Sequence, residues 1–215
     1  MRPAVVGVRG LPRTTLELST TGAGAELRRH LITRTAGLPV GFAVSVLALP
    51  QDGASYLKGR KKQALRTNCT KASAAGIHCQ PITHHELHAH ATALLDQRST
   101  IADLDKLLAE PDGAGFESWV AFDSNDVVIA IARLQVDSTV AWLKYFVAVT
   151  DHDHSVARYT LSAAVFMSLA DRGVQHVIVG SAVFLNPGLT YFQQLLGFYA
   201  TRADVVTPAH HLSET

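Results

Sequence analysis

The chain is poor in sulfur and in charge. It has two cysteines and two methionines in 215 residues, and Asp, Glu, Lys and Arg together make up 17%. Nothing around Cys69 or Cys79 demands a disulfide, so a reduced, cytoplasmic setting is the expectation. No apolar run approaches the ~18 residues of a membrane span. The opening Met-Arg-Pro-Ala-Val-Val-Gly-Val-Arg-Gly holds an apolar run too short for a signal peptide, and Arg9 interrupts it. Internal repeats and low-complexity segments are absent. With 47% apolar residues the chain is globular and not disordered, and it is long enough to bury a real core. Acid is missing from one long stretch: no Asp or Glu lies between Asp52 and Glu86.

Cations fill that stretch. Lys58, Arg60, Lys61, Lys62, Arg66 and Lys71 all fall within it. The net charge of +1 hides a division, since residues 1–85 carry 12 Lys/Arg against Glu17, Glu26 and Asp52, or +9. The remainder carries 7 against 15 acids, or −8. Such asymmetry between halves points to a polyanionic partner of the basic side, without naming it. A helix from about residue 55 to Gly76 would stack Lys58, Lys62 and Arg66 at i, i+4 and i+8. Like charges so placed repel by roughly 0.2–0.5 kcal/mol per pair. A segment that carries this repulsion reads either as an anion-binding face or as a solvated basic helix.

Periodicity and turn chemistry order the rest. Residues 5–8, 16–18 and 40–49 read as strands, the last bounded by Pro39 and Pro50, and residues 22–31 as a helix. Residues 77–82 form a short strand. Thr83 caps a helix over 86–97, and a second helix covers 101–109. Residues 119–122, 127–136 and 141–149 are strand-like runs separated by Asp/Ser/Asn turns, which reads as an antiparallel meander. A long helix over 155–172 stops at Gly173. Strand 174–179, helix 189–196 and strand 198–205 follow. The order βββ-α-β-α-β implies an α/β (α+β) fold with a mixed sheet. One domain over 1–208 is expected, with residues 1–51 either a sub-region of their own or part of the sheet, and 209–215 a loose tail.

This order, with Asn186-Pro-Gly-Leu-Thr-Tyr-Phe-Gln-Gln-Leu-Leu-Gly-Phe198, resembles the second half of the GNAT N-acyltransferase fold. Members often end with Asn, a small residue three on, Tyr seven on and Gly-Phe eleven on. Asn186 and Gly197-Phe198 keep that spacing, whereas Leu189 and Gln193 replace the small residue and the tyrosine. The cationic stretch ending in Ala75-Gly76-Ile77 is similar to the basic helix of Fem-type aminoacyl- and acyltransferases. The two resemblances cover about residues 55–205. They imply a mostly antiparallel GNAT-like sheet flanked by helices. CoA-using members carry a Gln/Arg-x-x-Gly-x-Gly/Ala loop that closes backbone N–H groups on the pyrophosphate. The corresponding register here is His152-Asp-His-Ser155-Val-Ala157, without the glycines and with Asp151 and Asp153 close by. The donor thus implied is aminoacyl-tRNA, which Fem-like relatives use, with a coenzyme A thioester as the alternative. No separate cofactor is implied.

The fold's chemistry is alignment of an amine with an activated acyl group, polarisation of the carbonyl by strand N–H groups, and protonation of the leaving group. The resemblance puts the N–H donors around Phe146–Val149, with Phe146 and Val147 foremost. Lys58, Arg60, Lys61, Lys62, Arg66, Ser155 and Arg158 complete the donor-binding set, with Ser155 able to cap the long helix. Glu117, Asp123, Tyr145, His152 and His154 are the candidates for handling a small-molecule or peptide amine, and Asn186 joins them through the motif. Lys144 and Tyr145 alternate on the central strand, so only one can face the cleft. Gln193 offers no titratable proton. Tyr191, two residues earlier, lies roughly 200° round a helix and reads as structural. A non-catalytic, polyanion-binding domain is the reading from another class. His84 and His88 are spaced for a metal on one helix face, but no third ligand is evident, and no metal is expected.

Overall fold

The apolar runs become strands of one eight-stranded sheet, in a computed structural model described over residues 10–35, 37–97, 102–110, 112–149, 155–183 and 185–208. The strand expected at residues 5–8, the tail beyond 208 and the residues His152 and His154 lie outside these. In chain order the elements are β1 (Arg13–Glu17), α1 (Gly22–Ile32), the short pair β2 (Arg34–Thr35) and β3 (Leu38–Pro39), and β4 (Val44–Ala48). Next come α2 (Gly53–Tyr56), α3 (Gln63–Ala74), β5 (His78–Ile82), α4 (His84–Gln97) and α5 (Ala102–Ala109). The second half holds β6 (Phe116–Phe122), β7 (Val128–Asp137), β8 (Val140–Ala148), α6 (Ala157–Asp171), β9 (His176–Ser181), α7 (Pro187–Leu196) and β10 (Tyr199–Val206).

The sheet order is β1-β10-β4-β9-β8-β7-β6-β5. Only β1/β10 and β8/β9 are parallel. The architecture is GNAT-like: a mixed, mostly antiparallel sheet flanked by helices. The β6-β7-β8 meander follows from its turns, where Asp126 and Ser138 take positive φ. The N-terminal segment completes the sheet, since β4 is inserted between β9 and β10 and β1 lies on the outer side of β10. Residues 40–42 form a 3-10 turn, so the strand expected over 40–49 is confined to β4.

Layering follows from burial. All but the last two residues of β7 are buried on both faces, so helices must cover both sides. Helices α2 and α3 pack on α6, and α7 packs against α3 and α6. On the other side α1, with Ala23, Leu27 and Leu31 buried, meets β7, as do α4 and, against β8, α5. Asp137 pins the N-terminal segment there, accepting from Ser19 N at 2.7 Å and Ser19 Oγ at 2.8 Å. A β-carbon on Gly24 would stand 2.3 Å from that carboxylate, so only glycine lets α1 come so close.

Candidate active site

Strands β8 and β9 pair at Val140↔His176, Ala141↔Val177 and Trp142↔Ile178, and then part. Both flanking ladders slip where they diverge. The β7/β8 register shifts between Arg133 and Leu134, leaving Lys144 as the extra residue, and the β4/β9 register shifts between Ser45 and Val46, leaving Val179. A bulge bends the strand that carries it, and two bends side by side open the gap. Beyond Trp142 the β8 edge facing β9 has no strand partner, so its backbone donors point into the opening.

A cavity of about 360 Å³ fills the gap, with Leu143, Phe146, Val179, Gly180, Phe192 and Gln193 among its walls. Helix α7 closes one side. Asn186 starts that helix by accepting from Leu189 N at 2.7 Å, and Gly197 ends it with φ +94. Such a cap is worth about 1 kcal/mol. Asn186 thus holds the helix that holds Phe192 and Gln193. Gln193 is 8% exposed and accepts from Ser45 Oγ at 2.7 Å. The Arg158 guanidinium, on the first turn of α6, lies 5.1 Å from the Phe192 ring centroid and donates to Tyr159 Oη at 3.2 Å. Phe146 leans on Phe192, with centroids 5.9 Å apart. Val147 is buried in the sheet opposite Ile131. The cap position of α6 is Val156, which makes no side-chain cap bond, and Ser155 precedes it in a turn.

The opposite side of the gap is polar. The bulge corrects the expectation that Lys144 and Tyr145 point to opposite faces, because the extra residue breaks strict alternation. Lys144 Nζ donates to Glu110 Oε1 and Glu26 Oε1, both at 2.6 Å, and Tyr145 Oη donates to Glu110 Oε2 at 2.8 Å. Gln135 Nε2 donates to the other Glu26 oxygen at 3.0 Å. The ammonium stands 5.0 Å from the Trp142 ring centroid and 5.3 Å from that of Phe116. Burial pushes the Glu26 carboxyl up, but the Lys144 and Gln135 bonds and the Lys144 charge outweigh it and leave it below its usual range. Burial, with the bond to Glu110, lifts the Tyr145 phenol to about 12. Arg133, fully buried, faces the same side, its Nη1 3.0 Å from His84 Nδ1.

The cationic stretch is not one helix. Asp52 caps α2 by accepting from Ser55 N at 2.8 Å, and Gly59 with φ +90 breaks the chain. A 3-10 turn over Arg60–Lys62 leads into α3. The break follows from Tyr56, which is buried and donates to Leu196 O at 2.8 Å, anchoring α2 to the end of α7. The stripe of Lys58, Lys62 and Arg66 therefore does not exist. Arg66 Nη1 donates to Leu57 O at 2.6 Å and Gly59 O at 2.8 Å, clamping the break. Lys62 Nζ donates to Leu196 O over the Tyr56 ring, and burial pushes its ammonium down to about 8. Lys58 reaches Ser55 Oγ at 3.3 Å. The side chains of Arg60 and Lys61 are exposed and make no hydrogen bond or ion pair among the described residues. Two grooves flank them. One, of about 470 Å³, has Lys58, Lys61 and Lys62 on its wall, and the other, of about 550 Å³, is lined by Arg60, Lys61, Asn68, Tyr159 and Tyr191. Tyr191, expected to be structural, is 60% exposed there.

Other candidates lie elsewhere. Glu117, two strands from the gap on β6, holds Arg172 with two bonds of 2.6 and 2.8 Å. Cys69 and Cys79 are free thiols, both pushed up by burial, Cys79 to about 12. Among the described residues no three His, Cys, Asp or Glu side chains are arranged to hold a metal ion. Sequence reasoning missed Glu26, Glu110, Ser45 and His30. A lone lysine in the apolar run of β8 was the signal that buried acids must come to meet it.

No protein-family model matches the chain, and no curated protein matches it. Among solved structures it is similar to the C-terminal domain of a protein named as a lysylphosphatidylglycerol synthetase, from Agrobacterium fabrum, at TM-score 0.54 and 15% identity. That match covers 74% of this chain and 57% of the other. It is also similar to FemX, at TM-score 0.54 and 9% identity, over 74% of this chain and 59% of that one. The chain thus spans less than two thirds of either structure.

Proposed function

We propose that this chain is an N-acyltransferase that moves an aminoacyl group from aminoacyl-tRNA to the amine of a small-molecule or peptide acceptor. The observation that carries this reading is the gap between β8 and β9. An acyl carbonyl laid along the unpaired β8 edge meets backbone N–H groups near Phe146, which stabilise the charge that develops on its oxygen. The apolar walls exclude water and strengthen those bonds. Arg60 and Lys61, exposed beside α7, favour a polyanionic donor over a neutral one. The likeness to FemX in fold and the Fem-type resemblance of the sequence support the same donor.

Gln193 occupies the place of the motif tyrosine and carries no titratable proton. In this reading the ribose 2′-hydroxyl beside the ester hands the leaving oxygen its proton. Gln193→Ala then retains transfer, whereas a donor tRNA with a 2′-deoxy terminal adenosine loses it. Equal loss in both overturns that step.

The reading as a whole is tested by incubating the protein with radiolabelled charged tRNA and, separately, a panel of acyl-CoAs, scoring donor deacylation and mass gain across amines. Deacylation of charged tRNA with amide formation is expected. Turnover of an acyl-CoA alone moves the donor to a thioester. Salt-sensitive tRNA binding without turnover identifies a polyanion-binding domain.

A further inference from the structure

The side of the gap away from α7 holds a histidine that the reading above leaves unused. His30, on α1, stacks on Trp142 with ring centroids 4.3 Å apart and planes at 25°. Trp142 is the last β8 residue to pair with β9. A β-carbon placed on Gly180 would lie 4.0 Å from His30 Nε2, and Gly180 is also a wall of the cavity. The imidazole therefore sits where the strands part, on the α1 side. Its Nε2 is buried without a hydrogen-bond partner among the described residues. Buried polar nitrogens are nearly always paired, and this one, beside a cavity wall, is open to a donor bound in the gap.

We propose that His30 receives the proton of the acceptor amine, which enters the gap from the α1 side, opposite the acyl donor; this rests on the acyl-transfer reading. Three features support it. Glycine at 180, with φ +148, leaves the space before Nε2 free of a side chain. Burial, with the Lys144 charge second, holds the imidazole below its ordinary range, so the neutral ring is the resting form at pH 7. Lys144 on β8, whose charge acts on the ring, is itself committed to Glu26, one turn back on α1. In the step, the ammonium gives one proton to Nε2 and the freed nitrogen attacks the acyl carbon. The C–N bond forms as the C–O bond breaks, the 2′-hydroxyl gives its proton to the ester oxygen and takes the nitrogen's second proton in exchange, and His30 returns its proton to water.

The test uses the full chain and the donor active in the panel above, either charged tRNA or acetyl-CoA. His30→Gln should slow transfer to n-butylamine by ~10²-fold and remove the acidic limb of the pH–rate profile. Transfer to methoxyamine, whose nitrogen is already neutral at pH 7, should fall far less. Equal losses with both amines, or an unchanged profile, overturn the proposal. A second arm needs no turnover: the Nε2 resonance of ¹⁵N-histidine-labelled wild-type protein, titrated with n-butylamine alone. A shift of His30 supports an amine site even if no donor is turned over, in which case the acyl-transfer reading fails by itself. A static resonance overturns the proposal whatever the donor.

Discussion

Positive charge is used in opposite ways on the two sides of the gap. Beside α7 it is dense in sequence and diffuse in space. Of the cations between residues 58 and 66, Arg66 and Lys62 hold backbone carbonyls, Lys58 sits at a helix cap, and Arg60 and Lys61 face water. Beside α1 there is one lysine, Lys144, with 12% of its side chain exposed and two glutamates on its nitrogen. Those partners come from 118 and 34 residues away. The dense stretch is the conspicuous one in the sequence, but the isolated lysine is the one the fold commits to. Density marks where charge can be solvated. Isolation in an apolar strand marks where it must be answered.

The sharpest way to break that contrast is to remove the isolated charge. Lys144→Met leaves Glu26 and Glu110 without the one cation that bonds both, and poorly compensated buried charge is strongly destabilising. We expect a loss of about 3 kcal/mol in urea unfolding at pH 7. Adding Glu110→Gln should recover part of it, because one of the two like charges is gone. A loss below that of an ordinary surface change would mean the cluster is solvated, and the contrast between the two sides would collapse.

The elements themselves were legible. Apolar period, Pro39 and Pro50, and the Asp-rich turns are local signals, and the meander, the long helix and the final β-α-β all follow from them. The Thr83 cap was legible too, because its partner Glu86 is three residues away. The gap's polar side was not. Whether Lys144 and Tyr145 share a face depends on a register slip against β7, and register is a property of two strands, not of one. The supposed basic helix failed for a related reason. Its charges are compatible with a continuous helix, but Tyr56 is pulled to Leu196, a partner 140 residues on. Gly59, inside the helical pattern, was the one local warning.

Lys62 lies between the two extremes, a cation of the dense stretch that the fold has half-buried. Its value of about 8 lies below that of the unfolded chain. Above pH 8 the unfolded state therefore holds more protons than the folded one, and stability rises with pH until the ordinary lysine range is reached. Wild-type protein should gain on Lys62→Met by about 1 kcal/mol over that window, since solvent screening trims the effect at a half-exposed site. Thermal unfolding of both proteins across the window measures the difference. Parallel curves would place Lys62 with the solvated cations.

The smallest expected effect on folding belongs to the pair that faces water. Arg60→Glu with Lys61→Glu removes no buried contact, so stability should stay within about 0.5 kcal/mol of wild type. Binding should not. If both side chains meet phosphates, their loss lowers the slope of log K against log salt for tRNA by about 2, because each contact releases close to one counterion. Filter binding over a salt series reads that slope directly. An unchanged slope would leave the exposed cations without a polyanionic ligand. The dense stretch would then matter through Lys62 and Arg66, which hold the chain in place.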